Sequence, residues 1–129
     1  MLANAKTFNS FAVDDLAKAQ EFYGETLGLN VFEEEEGGIS IKFDTGGTAY
    51  LYPKGDHEPA SFTVLNLTVE DIDTAVEGLA ANGIEFEQYD GEIETDESGI
   101  HRGSDTGKGP NIAWFKDPAG NILSVIEEK

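Results

Sequence analysis

Asn9-Ser10-Phe11-Ala12-Val13-Asp14-Asp15-Leu16-Ala17-Lys18-Ala19 has a counterpart later in the chain, Leu65-Asn66-Leu67-Thr68-Val69-Glu70-Asp71-Ile72-Asp73-Thr74-Ala75. Each begins as an alternating segment suited to a half-buried strand and runs through an acidic pair into a helical pattern. Val13 and Val69 lie 56 positions apart, and the glycines that close the two helical patterns, Gly28 and Gly83, lie 55 apart. A period close to half of 129 residues implies two similar modules within one compact domain rather than a many-unit solenoid. Paired modules build a shared surface, so a functional site is expected there.

Outward from these segments, the first copy reads strand, helix, three strands. Leu16, Ala19, Phe22, Tyr23 and Leu27 recur at helical spacing. Gly28 is placed to end the helix in the left-handed conformation. Strands are expected at Leu29–Glu34, Ile39–Phe43 and Thr48–Tyr52, separated by Gly37-Gly38 and Gly46-Gly47. Residues 53–60, with Pro53, Gly55 and Pro59, read as a connector. Module one is therefore about residues 6–53 and module two about 61–128, in a single domain over 1–129. In the second copy Ile72, Ala75, Val76, Leu79 and Ala80 form the helical stripe, with Asn82-Gly83 as its stop. A strand is expected at Ile84–Tyr89 and an irregular polar stretch at Asp90–Pro110. Asn111–Lys116 and Ile122–Glu127 read as a hairpin around Asp117-Pro118-Ala119-Gly120-Asn121.

Composition removes whole classes of function. There is no cysteine, which excludes disulfides, thiolate metal sites and cysteine nucleophiles. Twenty-six acidic residues face 8 Lys plus Arg, a formal net charge of −18. Nucleic acid is a poor partner for such a field, whereas a cationic ligand is attracted. Surface solvation, including adaptation to high salt, accounts for the same acidity. Arg102 is the only arginine, so bidentate anion clamps are scarce. No apolar run approaches a membrane span and no export signal is legible, so no membrane partner is expected and the expected location is the cytoplasm. The Glu33–Glu36 run reads as a solvated strand edge that discourages aggregation. No phosphate-cradling loop or nucleophile motif occurs.

Three segments resemble the vicinal oxygen chelate superfamily, which includes glyoxalase I, bleomycin-resistance proteins and extradiol dioxygenases. They are Val13-Asp14-Asp15-Leu16 with Phe22-Tyr23 and Leu27-Gly28-Leu29; Val69-Glu70-Asp71-Ile72 with Asn82-Gly83-Ile84; and Trp114-Phe115-Lys116-Asp117-Pro118-Ala119-Gly120-Asn121-Ile122. The D-P-x-G-N turn is the most specific piece. The resemblance implies an α+β fold of two βαβββ modules, with a curved mixed sheet around a cleft and helices outside. It also implies a frequent homodimer, sometimes with exchanged modules.

The resemblance also implies where metal ligands would stand. The opening-strand histidine of such proteins falls on Phe8 in the first module and on Val64 in the second. The closing strand of the first module offers Tyr50 or Tyr52 in place of an acid, and the last glutamate falls on Ser124. Phe and Val have no lone pair for a metal, and neutral Ser or Tyr is a weak ligand. No metal and no other cofactor is therefore expected, which argues against glyoxalase I and extradiol dioxygenase chemistry. The same alternation sends Phe8, Ser10, Val64 and Asn66 toward the cleft, and Tyr50, Tyr52, Trp114 and Ser124 complete an aromatic, weakly polar lining. Such a lining suits a small organic molecule, neutral or cationic, bound without metal in the manner of bleomycin-resistance-type proteins. Packing of the same aromatics in a core or a dimer interface is the alternative for each.

An enzymatic reading stays open beside this one: a lyase, isomerase or dioxygenase relative with a displaced metal site, or acid–base chemistry through His101, Tyr50 or a carboxylate. A structural or regulatory protein whose cleft is closed by packing is the third. His57 and His101 are both expected in loops and idle, with His101-Arg102 in the stretch that could cover the cleft.

Overall fold

A computed structural model describes residues 1–107 and 109–128. Lys108, within the polar stretch Asp90–Pro110, and the terminal Lys129 lie outside the described residues. The chain divides into two compact units, Met1–Glu58 and Pro59–Lys129.

In the first unit a short 3-10 turn (Leu2–Asn4) precedes β1 (Asn9–Val13), α1 (Leu16–Glu21), a π-helical turn (Phe22–Thr26), β2 (Asn30–Glu33), β3 (Ile39–Lys42) and β4 (Thr48–Pro53). The four strands form one sheet in the order β1-β4-β3-β2. β1 pairs in parallel with β4, and the other neighbours are antiparallel. One face carries Phe11, Val13, Ile39, Ile41, Ala49 and Leu51, all buried, together with Ala19 and Tyr23 from the helical segment. This is the period-two pattern of the sequence made physical: one set of alternate residues leaves water, the other stays on the open face. The apolar stripe continues through the π turn, where Tyr23 is fully buried and Phe22 meets its ring edge-on at 5.1 Å.

The second unit repeats the plan. β5 (Thr63–Val69), α2 (Ile72–Ala81), β6 (Ile100–Arg102), α3 (Gly103–Thr106), β7 (Asn111–Lys116) and β8 (Ile122–Glu127) give a sheet ordered β5-β8-β7-β6. Again the first strand runs parallel to the last. The equivalence extends to single atoms. Asp15 accepts a hydrogen bond from the Lys18 N–H at 3.1 Å and caps α1; Asp71, 56 positions on, accepts from the Thr74 N–H at 3.1 Å and caps α2. Each cap satisfies a backbone donor that the first helical turn leaves unpaired. The hairpin turn is held by Asp117, buried, whose carboxylate accepts from the backbone of Ala119 and Asn121 and from the Asn121 side chain.

Three expectations are corrected. Ile84–Tyr89 is not a strand: it contributes one bridge, Phe86 to Phe115, and a hydrogen bond from the Glu87 N–H to the Trp114 carbonyl at 2.8 Å. The edge position belongs to Ile100–Arg102 instead, within the stretch expected to be irregular, and His101 therefore stands on a strand and not in a loop. The cause lies at residue 89. The Thr95 hydroxyl accepts from the Tyr89 N–H at 2.8 Å, and the Thr95 N–H donates to the Tyr89 carbonyl at 3.0 Å. Those bonds turn the chain off the sheet edge, and it returns at residue 100. Ala80, assigned to the buried stripe of α2, is exposed.

Candidate ligand-binding faces

The open face of the first sheet is built by the residues that alternate with its core. The register places Ser10, Tyr50, Ser40 and Phe32 in one row across the four strands, with Ala12 and Tyr52 in the next. Tyr50 and Tyr52 lie nearly parallel, with centroids 6.2 Å apart and planes 24° apart. Phe8 stands just before β1 and is 67% exposed. Phe8 and Tyr50 line a concavity of about 840 Å³, with Ser40, Thr48, Lys6, Lys42, Glu34 and Glu36 among its other walls. Lys42 holds its ammonium 5.1 Å from the Phe32 ring centroid. Four of the residues expected to bind a ligand, Phe8, Ser10, Tyr50 and Tyr52, thus share one face, and two of them share one concavity.

The other four lie on the second sheet. Asn66, Ser124 and Trp114 form a row across β5, β8 and β7, and Val64 is half-buried at a register irregularity in β5. Ser124 is fully buried and donates its hydroxyl to the Asn66 side-chain oxygen at 2.5 Å. That bond gives the only proton of the buried hydroxyl a partner. Trp114 lines a separate concavity of about 530 Å³ with His101, Ile112, Pro110, Glu92 and Ile93. The Tyr89 ring meets Trp114 nearly edge-on at 5.5 Å. Burial, and then the charge of Glu87, push the Tyr89 phenol up.

Neither face fits the divalent metal that the family resemblance implies. On the first sheet the relevant positions carry Phe8 and the two tyrosines. On the second they carry Val64, which has no lone pair to offer, and the neutral hydroxyl of Ser124, a weak ligand for such an ion. Among the described residues no three His, Asp or Glu side chains are grouped to hold an ion. No helix among the described residues is long and apolar enough to cross a membrane.

Several wall residues were missed from sequence. Ser40 and Lys42 were legible, because Ile39 and Ile41 alternate with them; Lys6, Glu34 and Glu36 flank strands and carry no periodic signal. His101 and Glu92 belong to the corrected stretch. His57, in the first unit, is half-buried, with its backbone N–H donating to the Lys54 carbonyl at 3.1 Å.

Arg102, expected to lie with His101 over a cleft, is engaged elsewhere. Its guanidinium donates twice to Asp73 of α2, at 3.0 and 2.6 Å, and its Nε donates to Asp96 at 3.2 Å. The hydrogen bonds from Arg102 hold the Asp73 carboxyl below its ordinary range. For Asp96 burial acts upward, but the Ile100 N–H, Arg102 and the Ser98 N–H outweigh it, and the net shift is downward. Carboxyls depressed in the folded state add stability above their unfolded value of about 4, and that stability is lost as pH falls through the lowered folded values. Arg102→Met is therefore expected to lower the Tm at pH 7, with the difference from the parent shrinking below about pH 4. Thermal unfolding across pH 2.5–7 checks this, and a gap of constant size would contradict it.

A family model described as the Glyoxalase/Bleomycin resistance protein/Dioxygenase superfamily matches residues 7–125. No curated protein matches the chain. Among solved structures, the chain is similar to an antibiotic binding protein from Streptomyces sp. CB03234, at 21% identity over 98% of both chains and a TM-score of 0.67. It is similar to a lactoylglutathione lyase from Agrobacterium tumefaciens at 20% identity, covering 96% of this chain and 93% of that one, with a TM-score of 0.68. A superfamily member from Sphaerobacter thermophilus aligns at 22% identity over 95% and 98% of the two chains, TM-score 0.67. At such identities the likeness is one of fold.

Proposed function

The chain belongs to the Glyoxalase/Bleomycin resistance protein/Dioxygenase superfamily, and on that premise we propose that it binds a small, flat organic molecule without a metal, on the open face of its first sheet. The observation that carries this reading is the concavity of about 840 Å³ in which the exposed Phe8 and Tyr50 stand together, with Tyr52 stacked beside Tyr50. Aromatic walls of this kind hold a planar ligand by stacking and apolar contact, and Ser10, Ser40 and the tyrosine hydroxyls supply hydrogen bonds for orientation. Two lysines and two glutamates in the walls roughly balance one another. Charge preference then comes from the whole-chain field of −18, which draws neutral or cationic molecules in preference to anions.

A binding role needs no catalytic group, only a complementary surface, and the same fold in an antibiotic binding protein is in keeping with it. The chemistry of Phe8, Val64, Tyr50, Tyr52 and Ser124 supports a metal-independent site. Assembly as a homodimer is part of the same reading.

The test is a thermal-shift screen of the purified protein against planar cationic and neutral aromatics and against divalent metals, paired with elemental analysis. Organic ligands are expected to raise the Tm without metal, and Tyr50→Ala to weaken the best of them roughly tenfold. Stoichiometric metal on which an activity depends, or a Tyr50→Ala protein that binds as well as the parent, would overturn the reading.

A further inference from the structure

The second unit carries a concavity of different character. We propose that the space bounded by Trp114, His101 and Glu92 is a separate ligand seat, selective for compounds that join a primary ammonium to an aromatic or aliphatic body. Its described walls hold one charged side chain, the carboxylate of Glu92, and no lysine or arginine. Ile93, Ile112 and Pro110 supply apolar surface. An anion would meet repulsion here and would find no cationic partner on those walls.

Three groups fit the parts of an ammonium ligand. The ring of Trp114 is the strongest π face among side chains for a cation, and its contact with Tyr89 is nearly edge-on. His101 lies with its ring centroid 6.3 Å from that of Trp114. Its Nδ1 is 3.0 Å from the backbone carbonyl of Glu94. A carbonyl only accepts, so Nδ1 carries the proton in the neutral ring and Nε2 is left as an acceptor. An N–H of a primary ammonium matches that acceptor, whereas a quaternary ammonium has no hydrogen to give it. Glu92 then compensates the charge.

The seat is also braced. Glu92 and Ile93 sit near the tip of the turn closed by the Tyr89–Thr95 hydrogen bonds. One end of the segment behind them is anchored where Asp96 accepts from Ser98, Ile100 and Arg102. The two ends of the loop that carries Glu92 and Ile93 are thus tied down before any ligand arrives, which lowers the ordering cost of binding.

Trp114 is the only tryptophan in the chain, so its emission reports on this seat. Titration of the intact protein with benzylammonium chloride at pH 7.5 is expected to give a saturable change in that emission. Benzyl alcohol, benzoate and benzyltrimethylammonium are expected to give a weaker response or none. Glu92→Gln and His101→Phe should each raise the apparent Kd about tenfold, with His101→Gln partly restoring binding through its side-chain oxygen. Lys18→Ala, exposed on α1 and outside both concavities, should leave the titration unchanged; the first sheet is read by its own thermal shift and not by Trp114, so the two seats can fail independently. Absence of a saturable response to benzylammonium, an equal response to benzyl alcohol, or a Glu92→Gln curve that overlays the parent would overturn the proposal. Circular dichroism of each variant identifies any that has merely failed to fold.

Discussion

Phe115→Ala is expected to lower the unfolding free energy of the second unit by about 3–5 kcal/mol. Phe115 lies at the centre of β7 with none of its surface exposed. It pairs across the sheet with Leu123, itself fully buried, and on its other side it bridges to Phe86, whose ring it meets at 5.6 Å and 71°. Truncation removes a whole ring from a close-packed layer, and neighbours fixed by strand pairing can collapse into the space only partly. It also strips the partner from Phe86, the one place where the segment after α2 touches the sheet as a bridge. Urea denaturation followed by Trp114 emission reads the loss locally, since Trp114 is the adjacent residue. A decrease of less than about 1 kcal/mol would mean that the layer repacks far more freely than cores of this kind do.

Gly38→Ala is expected to cost about 1–3 kcal/mol and, at the same time, to abolish the ligand response of the first sheet. A Cβ at this buried position would fall 2.6 Å from the Leu51 carbonyl oxygen and 2.6 Å from both Cε1 and the hydroxyl oxygen of Tyr50. The obstacle is steric closeness, not a left-handed backbone. The carbonyl belongs to β4 and cannot withdraw without breaking the sheet. The Tyr50 ring can withdraw, but only by leaving its place against Tyr52 and in the concavity. Thermal unfolding with and without the best planar ligand separates the two losses. A variant with the parent's Tm and the parent's ligand shift would show that neither Gly38 nor the ring position matters.

Much of this architecture is legible in the residues. The closing hairpin matches Asn111–Lys116 and Ile122–Glu127 at both ends, because the Asp-Pro-Ala-Gly-Asn turn states its own geometry. The two helix starts are equally plain, with Asp15 and Asp71 written just before the apolar stripes. The opening face of the first sheet follows from alternation, which is why Phe8, Ser10, Tyr50 and Tyr52 are found on one side. The edge of the second sheet was not legible. Ile84 and Phe86 alternate like a strand, and nothing in the local pattern announces that Thr95 will bond back to Tyr89. Three residues, Ile100–Arg102, are too few to express a period of two, so the strand that carries His101 is silent in the sequence. The preferences of the concavities are hidden for a related reason: they depend on which charged loop residues reach a wall, and exposed charges follow no period.

Glu127, in the last strand, accepts a hydrogen bond from the Ile72 N–H at the start of α2, 2.9 Å away, and another from the Asn111 side chain at 3.0 Å. Among the described residues β5 likewise finds its only strand partner in β8. During translation the first unit has every strand of its sheet once residue 53 has left the ribosome. The second cannot pair its opening strand or finish capping its helix until residue 127 has emerged, and the whole interval is spent with β5 unpaired. The second sheet therefore waits on β8, and until then the nascent chain carries β5 without the strand it pairs with. The heavy negative charge borne by that intermediate keeps neighbouring copies apart while it waits.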